Sequence, residues 1–518
     1  MNFYPRNQIE HFMHDVLMEP LNTTAEKYSA EAKAKMFYQS CMKVDHFKYT
    51  KSETFLGLLK MGGGWPAVND KWNTTDFDWF QFELLAAKFG ANIFISEGLI
   101  NNGKKIYLTA GPFYLKNKIN VLLPHSRQFQ LAKGVTMQIM KMYGVQNSTA
   151  KRTWNEIIEF GKLWKRYKTS YKWIEQIETI HSIEDLMKIV PNVDWKEYIK
   201  VLFGNYTKLE SNLLKIKKIR SLNNIEQFIK ENKRAAANYA AISFLLQVHT
   251  ELNAERSIQQ FCYRQFSNYL RPIEGALFLA GNTEERRIEN EIRAMVEYIR
   301  NSYRDNIRKA DWLNPEIKQK LITKVNMIYV KFPEELHSVN LEALNEEYRN
   351  LEISPENDYY ENDLALRSFR QQRIHLKFLY NKPTGDENLV EVNAFYNYKS
   401  NSISLLAGII QKPFYFSDFP FAYNFGGVGT VIAHEFGHAL DPNSAIYDEF
   451  GKTFTWDDFW IKIFRSSLDV TKQTFQNEEH GPNRVALVGS VSNFHEFSRA
   501  FNCDINAPMS PEKKCTLF

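Results

Sequence analysis

The stretch Thr430-Val431-Ile432-Ala433-His434-Glu435-Phe436-Gly437-His438-Ala439-Leu440 decides the reading of this chain. Its residues suit a helix, and on a helix two residues four apart project from one face. His434 and His438 can therefore reach a single ion, and neutral imidazole suits Zn2+ at about 2.0–2.1 Å. Glu435 lies beside them, where a carboxylate can take a proton from a water activated by the metal, whose pKa falls towards about 7. The pattern predicts metal-assisted peptide hydrolysis with one Zn2+ per chain. Gly437 costs a helix interior roughly 1 kcal/mol relative to Ala, which makes sense if another group approaches closely there.

The third ligand decides the class of site. A metzincin continues with Gly three residues after the second His, and with a third His three residues later still. Asp441 and Ser444 stand at those positions, so that route is excluded. The alternative draws a carboxylate from a downstream helix.

Outward from the zinc helix, Gly426-Gly427-Val428-Gly429 forms its approach, preceded by an aromatic loop that Pro413 and Pro420 interrupt. Val390–Tyr398 and Ser402–Leu406, joined by the polar Lys399-Ser400-Asn401, read as a strand pair or an extended edge. Pro442 closes the zinc helix, a second amphipathic helix is expected from about Trp456 to Phe475, and an irregular tail follows. Between Gln8 and about Gly385 the pattern is mostly helical. Ser29–Lys43, Phe129–Tyr143, Ala150–Ile177, Glu289–Lys309 and Asn314–Val330 carry apolar residues at spacings of three and four. Asn314 before Pro315 is a helix-start signal. Breaks are expected at Gly62-Gly63-Gly64-Trp65-Pro66, at Pro191-Asn192 and through Ser354–Asp358.

A chain of 518 residues suggests two to four structural units. Its 65 basic and 60 acidic residues leave only +5, scattered rather than gathered on one face, which argues against nucleic-acid binding. The densest basic run, Lys215–Arg220, reads as a solvated helix face. No apolar run is long enough to span a membrane, and the first residues lack the apolar core of a signal peptide. Asn22, Asn73, Asn147 and Asn205 begin Asn-x-Ser/Thr sequons, which lean instead towards secretion. Four cysteines, Cys41, Cys262, Cys503 and Cys515, leave three pairings open if all are oxidised.

Together the flanking motifs resemble the neprilysin family of zinc endopeptidases. They are Val392-Asn393-Ala394-Phe395-Tyr396, Ala407-Gly408-Ile409-Ile410-Gln411-Lys412-Pro413-Phe414, Asn424-Phe425-Gly426-Gly427-Val428-Gly429, and Glu496-Phe497-Ser498-Arg499-Ala500-Phe501-Asn502-Cys503 with Pro511-Glu512-Lys513-Lys514-Cys515. Weaker matches, including Asp15–Pro20 and Gly64-Trp65-Pro66, carry the resemblance over nearly the whole chain. It implies a mainly α, two-lobed fold: a thermolysin-like catalytic lobe, with a small β element and the zinc helix, and a helical capping lobe. The boundary is expected near 385, giving 1–385 and 386–518. The resemblance also implies an extracellular or cell-surface peptidase that cleaves short peptides on the amino side of hydrophobic residues. By the same carry-over His434 and His438 are metal ligands, Glu435 is the catalytic base and His480 stabilises the oxyanion. Asp441 orients the site from behind the ligands, Asn393 and Ala394 bind substrate backbone, and Cys41 pairs with Cys262.

Three departures qualify it. The family's third ligand is a Glu in a Glu-Asn-x-x-x-Asp type segment, and none occurs between His438 and His480, which are 42 positions apart. The chain reads as internally shortened between about 470 and 480, and Asp448, Glu449, Asp457, Asp458, Glu478 and Glu479 read as surface acids. Ala486 stands where an Arg normally grips substrate, with Arg484 two residues early. The family's N-terminal anchor and first cysteines are absent, leaving Cys503 and Cys515 without their expected partners. These departures motivate a second expectation, a catalytically impaired peptide-binding protein of the same fold.

Overall fold

A computed structural model describes residues 3–21, 29–44, 52–100, 105–111, 113, 126–170, 177–180, 182–191, 193–204, 214–217, 222, 224–248, 257–281, 285–310, 313–336, 341–380, 388–441, 444 and 447–453. The fold is mainly α and divides into two compact units. One comprises Glu10–Leu277 and Val339–Glu387, and the other Met1–Ile9, Phe278–Ser338 and Asn388–Phe518. The division therefore does not fall at a single point near 385. Phe278–Ser338 joins the zinc-helix unit because the apolar faces of its two helices close that unit's core.

The larger unit is built on Lys233–Val248, whose run of alanines and aromatics is buried. Around it Phe94, Phe160, Trp164, Tyr239 and Phe244 form an aromatic core, and the Trp164 indole N–H donates to Gly111 O at 3.0 Å. Edge-to-face and offset ring pairs of this kind add about 0.5–1.5 kcal/mol each beyond the area they bury. Cys41 on helix Ala30–Met42 is bonded to Cys262 on helix Ile258–Tyr269, the pairing that the family resemblance implies.

This unit also contains a sheet that the helical periodicity did not reveal. Strands β1 (Ile95–Ile100), β2 (Lys105–Ala110), β3 (Ile177–Ile180) and β4 (Leu214–Lys217) run in the order β1-β2-β4-β3, with only β2 and β4 parallel. Lys215–Lys217, expected on a helix face, is thus strand, paired with β2 and β3. Glu83, fully buried on helix Trp79–Lys88, accepts from Phe94 N at 2.7 Å and Ile95 N at 3.2 Å where β1 begins.

The smaller unit has a second sheet, β5 (Tyr329–Lys331), β6 (Ala394–Asn397) and β7 (Ser402–Leu405), in the order β5-β7-β6. β6 and β7 are the expected pair, antiparallel from Ala394↔Leu405 to Asn397↔Ser402, and β5 joins β7 in parallel. Asn401 takes a left-handed φ of 44° in the connecting turn, which Asn tolerates better than most residues. Asn314 caps helix Pro315–Asn326 as expected, accepting from Ile317 N at 2.8 Å. One apolar cluster joins helix Glu285–Lys309 (Ile292, Met295), helix Pro315–Asn326 (Leu321, Val325), the sheet (Ile403, Leu405) and the zinc helix (Ile432, Phe436).

Candidate active site

The zinc helix spans Thr430–His438, with Ile432 and Phe436 turned into the core. Its approach, Phe425–Gly429, is wound wider than an α-helix and kinks at Gly427. Val428 N donates to Phe414 O at 2.8 Å across that kink, so backbone passes against backbone where Gly427 has no side chain.

Two residues of helix Glu285–Lys309 fix the zinc helix from behind. The Tyr303 hydroxyl donates to Ala433 O at 2.7 Å, and its ring stacks on Phe436. Burial pushes the phenol up to about 12, which keeps it a donor. Among the described residues the nearest group to a Cβ at position 437 would be that hydroxyl, at an ordinary contact distance of 3.4 Å, so the close approach expected at Gly437 is not seen there. One turn earlier, Arg300 donates to Val325 O, Asn326 O and Ile328 O and lies 5.3 Å from the Phe436 ring centre. It thereby supplies donors to carbonyls at and just beyond the end of helix Pro315–Asn326, where intrahelical bonds run out.

His434 is exposed, His438 half-buried and Glu435 buried, and their candidate ligand atoms lie within 4.8 Å of one another. The imidazole centres are 4.5 Å apart. His438 Nδ1 is 2.9 Å from Asp441 Oδ2. A carboxylate only accepts, so Nδ1 carries the proton and Nε2 is the nitrogen turned to a metal. Asp441 Oδ1 accepts from Ser444 N at 2.8 Å. Two imidazoles, one oriented by a carboxylate, beside a buried Glu form a donor set that fits zinc. Burial raises the Glu435 pKa, while His438 and the Tyr396 backbone N–H draw it down.

These groups open onto a cleft of about 640 Å³ lined by Asn393, Ala394, Phe395, Tyr396, Val431, His434, Glu435 and His438, among others. Asn393 and Ala394 thus line the same cleft as the His434–Glu435–His438 group. Asn393 Oδ1 accepts from Ala394 N at 3.0 Å, and Phe395 is exposed beside them. Among the described residues β6 pairs only with β7. Asp448 accepts from Phe450 N and Lys452 N and so shapes a turn. His480, Arg484, Ala486, Cys503, Cys515, Asp457, Asp458, Glu478, Glu479 and the expected helix 456–475 lie outside the described residues. Among the described residues His434, Glu435 and His438 are the one group of three or more His, Cys, Asp or Glu able to hold a metal.

The model of peptidase family M13 for its N-terminal part matches residues 5–333, and the one for its catalytic part matches residues 393–459. The chain belongs to peptidase family M13. Membrane metallo-endopeptidase-like 1 of Mus musculus is 23% identical over 647 residues, covering 99% of this chain and 83% of that protein. Neprilysin-11 of Caenorhabditis elegans is also 23% identical, covering 99% and 75%, and endothelin-converting enzyme 1 of Bos taurus is 20% identical, covering 100% and 82%. The alignment to the mouse protein is longer than this chain, so the relative carries residues for which the M13 chain here has none. Among solved structures, the open state of Mycobacterium tuberculosis zinc metalloprotease ZMP1 matches with a TM-score of 0.63 at 14% identity, covering 98% of this chain and 93% of that one. PepO from Lactobacillus rhamnosis matches with a TM-score of 0.61 at 15% identity, covering 92% and 78%. At such identities the likeness establishes the two-lobed M13 fold.

Four contributors to this M13 site were not read from the sequence: Tyr303, Lys324, Tyr396 through its backbone, and Asn401. Lys324 did leave a signal. It stands three residues after Leu321 and seven after Ile317, on the apolar stripe of its helix, where a lysine is out of pattern.

Proposed function

We propose that this chain is a zinc endopeptidase of neprilysin type that hydrolyses short peptides on the amino side of hydrophobic residues. The observation that carries the reading is the joining of the His434–Glu435–His438 group to an edge strand in one cleft. An extended peptide adding to β6 would run past Ala394 and Asn393, with Phe395 and Val431 offering apolar surface to a hydrophobic side chain. Zn2+, when bound by His434 and His438, supplies Lewis-acid polarisation of the peptide carbonyl. Glu435 takes the proton from the attacking water and returns it to the leaving amine, and the raised pKa of a buried carboxyl suits that exchange. Asp441 holds the His438 ring, and Asn393 orients the substrate backbone. His480 is assigned, by family likeness, to stabilising the oxyanion. The Cys41–Cys262 bond and the sequons support an extracellular or cell-surface setting. Among the described residues no helix is long and apolar enough to cross a membrane.

A second reading rests on the two-histidine site. A catalytic zinc takes three protein ligands, and no third joins His434 and His438 among the described residues unless Glu435 itself does. The same cleft would then bind peptides without turning them over. One experiment separates the readings: zinc content and hydrolysis of a short hydrophobic peptide by wild type and Glu435→Gln. Near-stoichiometric zinc, with a rate that Glu435→Gln lowers at least a hundredfold while zinc is kept, supports the peptidase. Chelator-insensitive peptide binding without turnover supports the binding protein.

A further inference from the structure

Lys324 is 3% exposed at the end of helix Pro315–Asn326, well away from solvent for a lysine. Its Nζ donates to Ser444 O at 2.7 Å. The N–H of the same residue donates to Asp441 Oδ1 at 2.8 Å, and Asp441 Oδ2 accepts from His438 Nδ1 at 2.9 Å. The backbone of Lys324 is held as firmly. Its carbonyl accepts from Asn401 Nδ2 at 3.1 Å, and Asn401 Oδ1 accepts from the Tyr396 hydroxyl at 2.8 Å. Tyr396 in turn gives its backbone N–H to Glu435. Helix Pro315–Asn326 is thus tied by hydrogen bonds to both the metal-binding and the proton-accepting sides of the site.

A buried amine keeps its place only where it has partners, because desolvation of an ammonium is costly. Burial lowers the Lys324 pKa to about 8, and the nearby carboxylates of Asp441, Asp448 and Glu449 oppose that fall. No role in packing explains an amine at this point. Ile317, Leu321 and Val325 fill the same stripe with hydrocarbon.

We propose that Lys324 is a positioning residue for the metal site: by anchoring Ser444 it fixes Asp441, and through Asp441 the imidazole of His438. This rests on the reading of His434 and His438 as metal ligands. Partners that orient a ligand from behind typically change metal affinity by 10–100-fold, and Lys324 stands one link further out than Asp441. Its removal should therefore act near the lower end of that range, and only while Asp441 can transmit it.

The test is a double-mutant cycle on the full chain, with zinc affinity measured by competition against a chromogenic chelator. Lys324→Met should weaken zinc binding roughly tenfold, and Asp441→Asn by that much or more. In the Asp441→Asn background the further loss from Lys324→Met should shrink to less than about twofold. Amide hydrogen exchange at Ser444, followed in metal-free protein, should speed up in Lys324→Met by about the same tenfold. Lys324→Gln keeps a shorter amide donor, should fall between wild type and Lys324→Met on both readouts, and carries the comparison should Lys324→Met not accumulate as folded protein. The proposal is overturned if the two substitutions act additively on zinc affinity. It is also overturned if either Lys324 variant lowers the melting temperature while zinc affinity and Ser444 exchange stay at wild-type values. Wild type that binds no zinc would sink the peptidase reading instead, and the exchange measurement would still decide whether Lys324 holds Ser444.

Discussion

Gly427→Ala offers the sharpest test of how the zinc helix is seated. A Cβ there would lie 3.0 Å from the Phe414 carbonyl carbon and nearer still to its oxygen. That oxygen cannot simply retreat, because it accepts the Val428 N–H at 2.8 Å. Relief requires the approach to the zinc helix to move away and that hydrogen bond to break. Overpacking of this kind costs about 1–3 kcal/mol. The lost bond adds about 1 kcal/mol, for roughly 2–4 kcal/mol in all. At 2–4 °C per kcal/mol for a domain of 150–250 residues, the melting temperature should drop by about 4–16 °C. The control is the adjacent Gly426→Ala, where nothing lies within 4 Å of the added Cβ. It should be neutral or slightly stabilising, since alanine has less chain entropy to lose. Scanning calorimetry of the two metal-free variants beside wild type gives the comparison. If Gly427→Ala melts within a degree of Gly426→Ala, the close backbone passage is wrong.

Arg300→Met keeps a stem beneath Phe436 but leaves the carbonyls of Val325, Asn326 and Ile328 without their donor. A loss of about 2–4 kcal/mol is expected by denaturant titration. Cys41→Ser opens a bond that spans 221 residues, so the larger unit should lose about 2–5 kcal/mol, and reductant should mimic the variant on wild type but do nothing further to it. Burial raises the Glu83 pKa to about 8, against the pull of the backbone donors at Phe94, Ile95 and Ile93. The folded state then holds a proton that the unfolded chain releases, so stability is greatest below the ordinary carboxyl range and declines as pH rises towards about 8. The slope approaches about 1.4 kcal/mol per pH unit, and Glu83→Gln should flatten it in melts taken between pH 5 and 8.

The zinc helix was legible because its chemistry is local: two His and a Glu within five residues also obey the helical period. The β6–β7 pair was legible for a similar reason, since a polar turn separates two runs of strand-forming residues. Cys41 and Cys262 were matched through the family likeness, as nothing near either residue specifies its partner. The sheet β1–β4 was hidden because its strands are four to six residues long and flanked by strong helical periodicity. Short strands gain their stability from partners far along the chain, which no window on the sequence contains. Tyr303, Asn401 and Lys324 were missed for the same reason. Each bonds a backbone group or side chain that the fold, not the sequence, brings near, and only the lysine on an apolar stripe betrayed itself.

The interleaving of the two units in sequence also bears on how the chain is made. Phe278–Ser338 supplies a wall of the metal-site core, yet Val339–Glu387 of the other unit is synthesised before the zinc helix follows. At about 5–20 residues per second, the apolar face of Leu321, Val325 and Ile328 waits roughly 5–20 s for its counterpart. The parallel pairing of β5 with β7 likewise waits for the intervening segment, and such distant pairings are slow to form. During synthesis the unit carrying the zinc helix is therefore an unfinished surface, and its completion waits on translation of the segment inserted within its sequence.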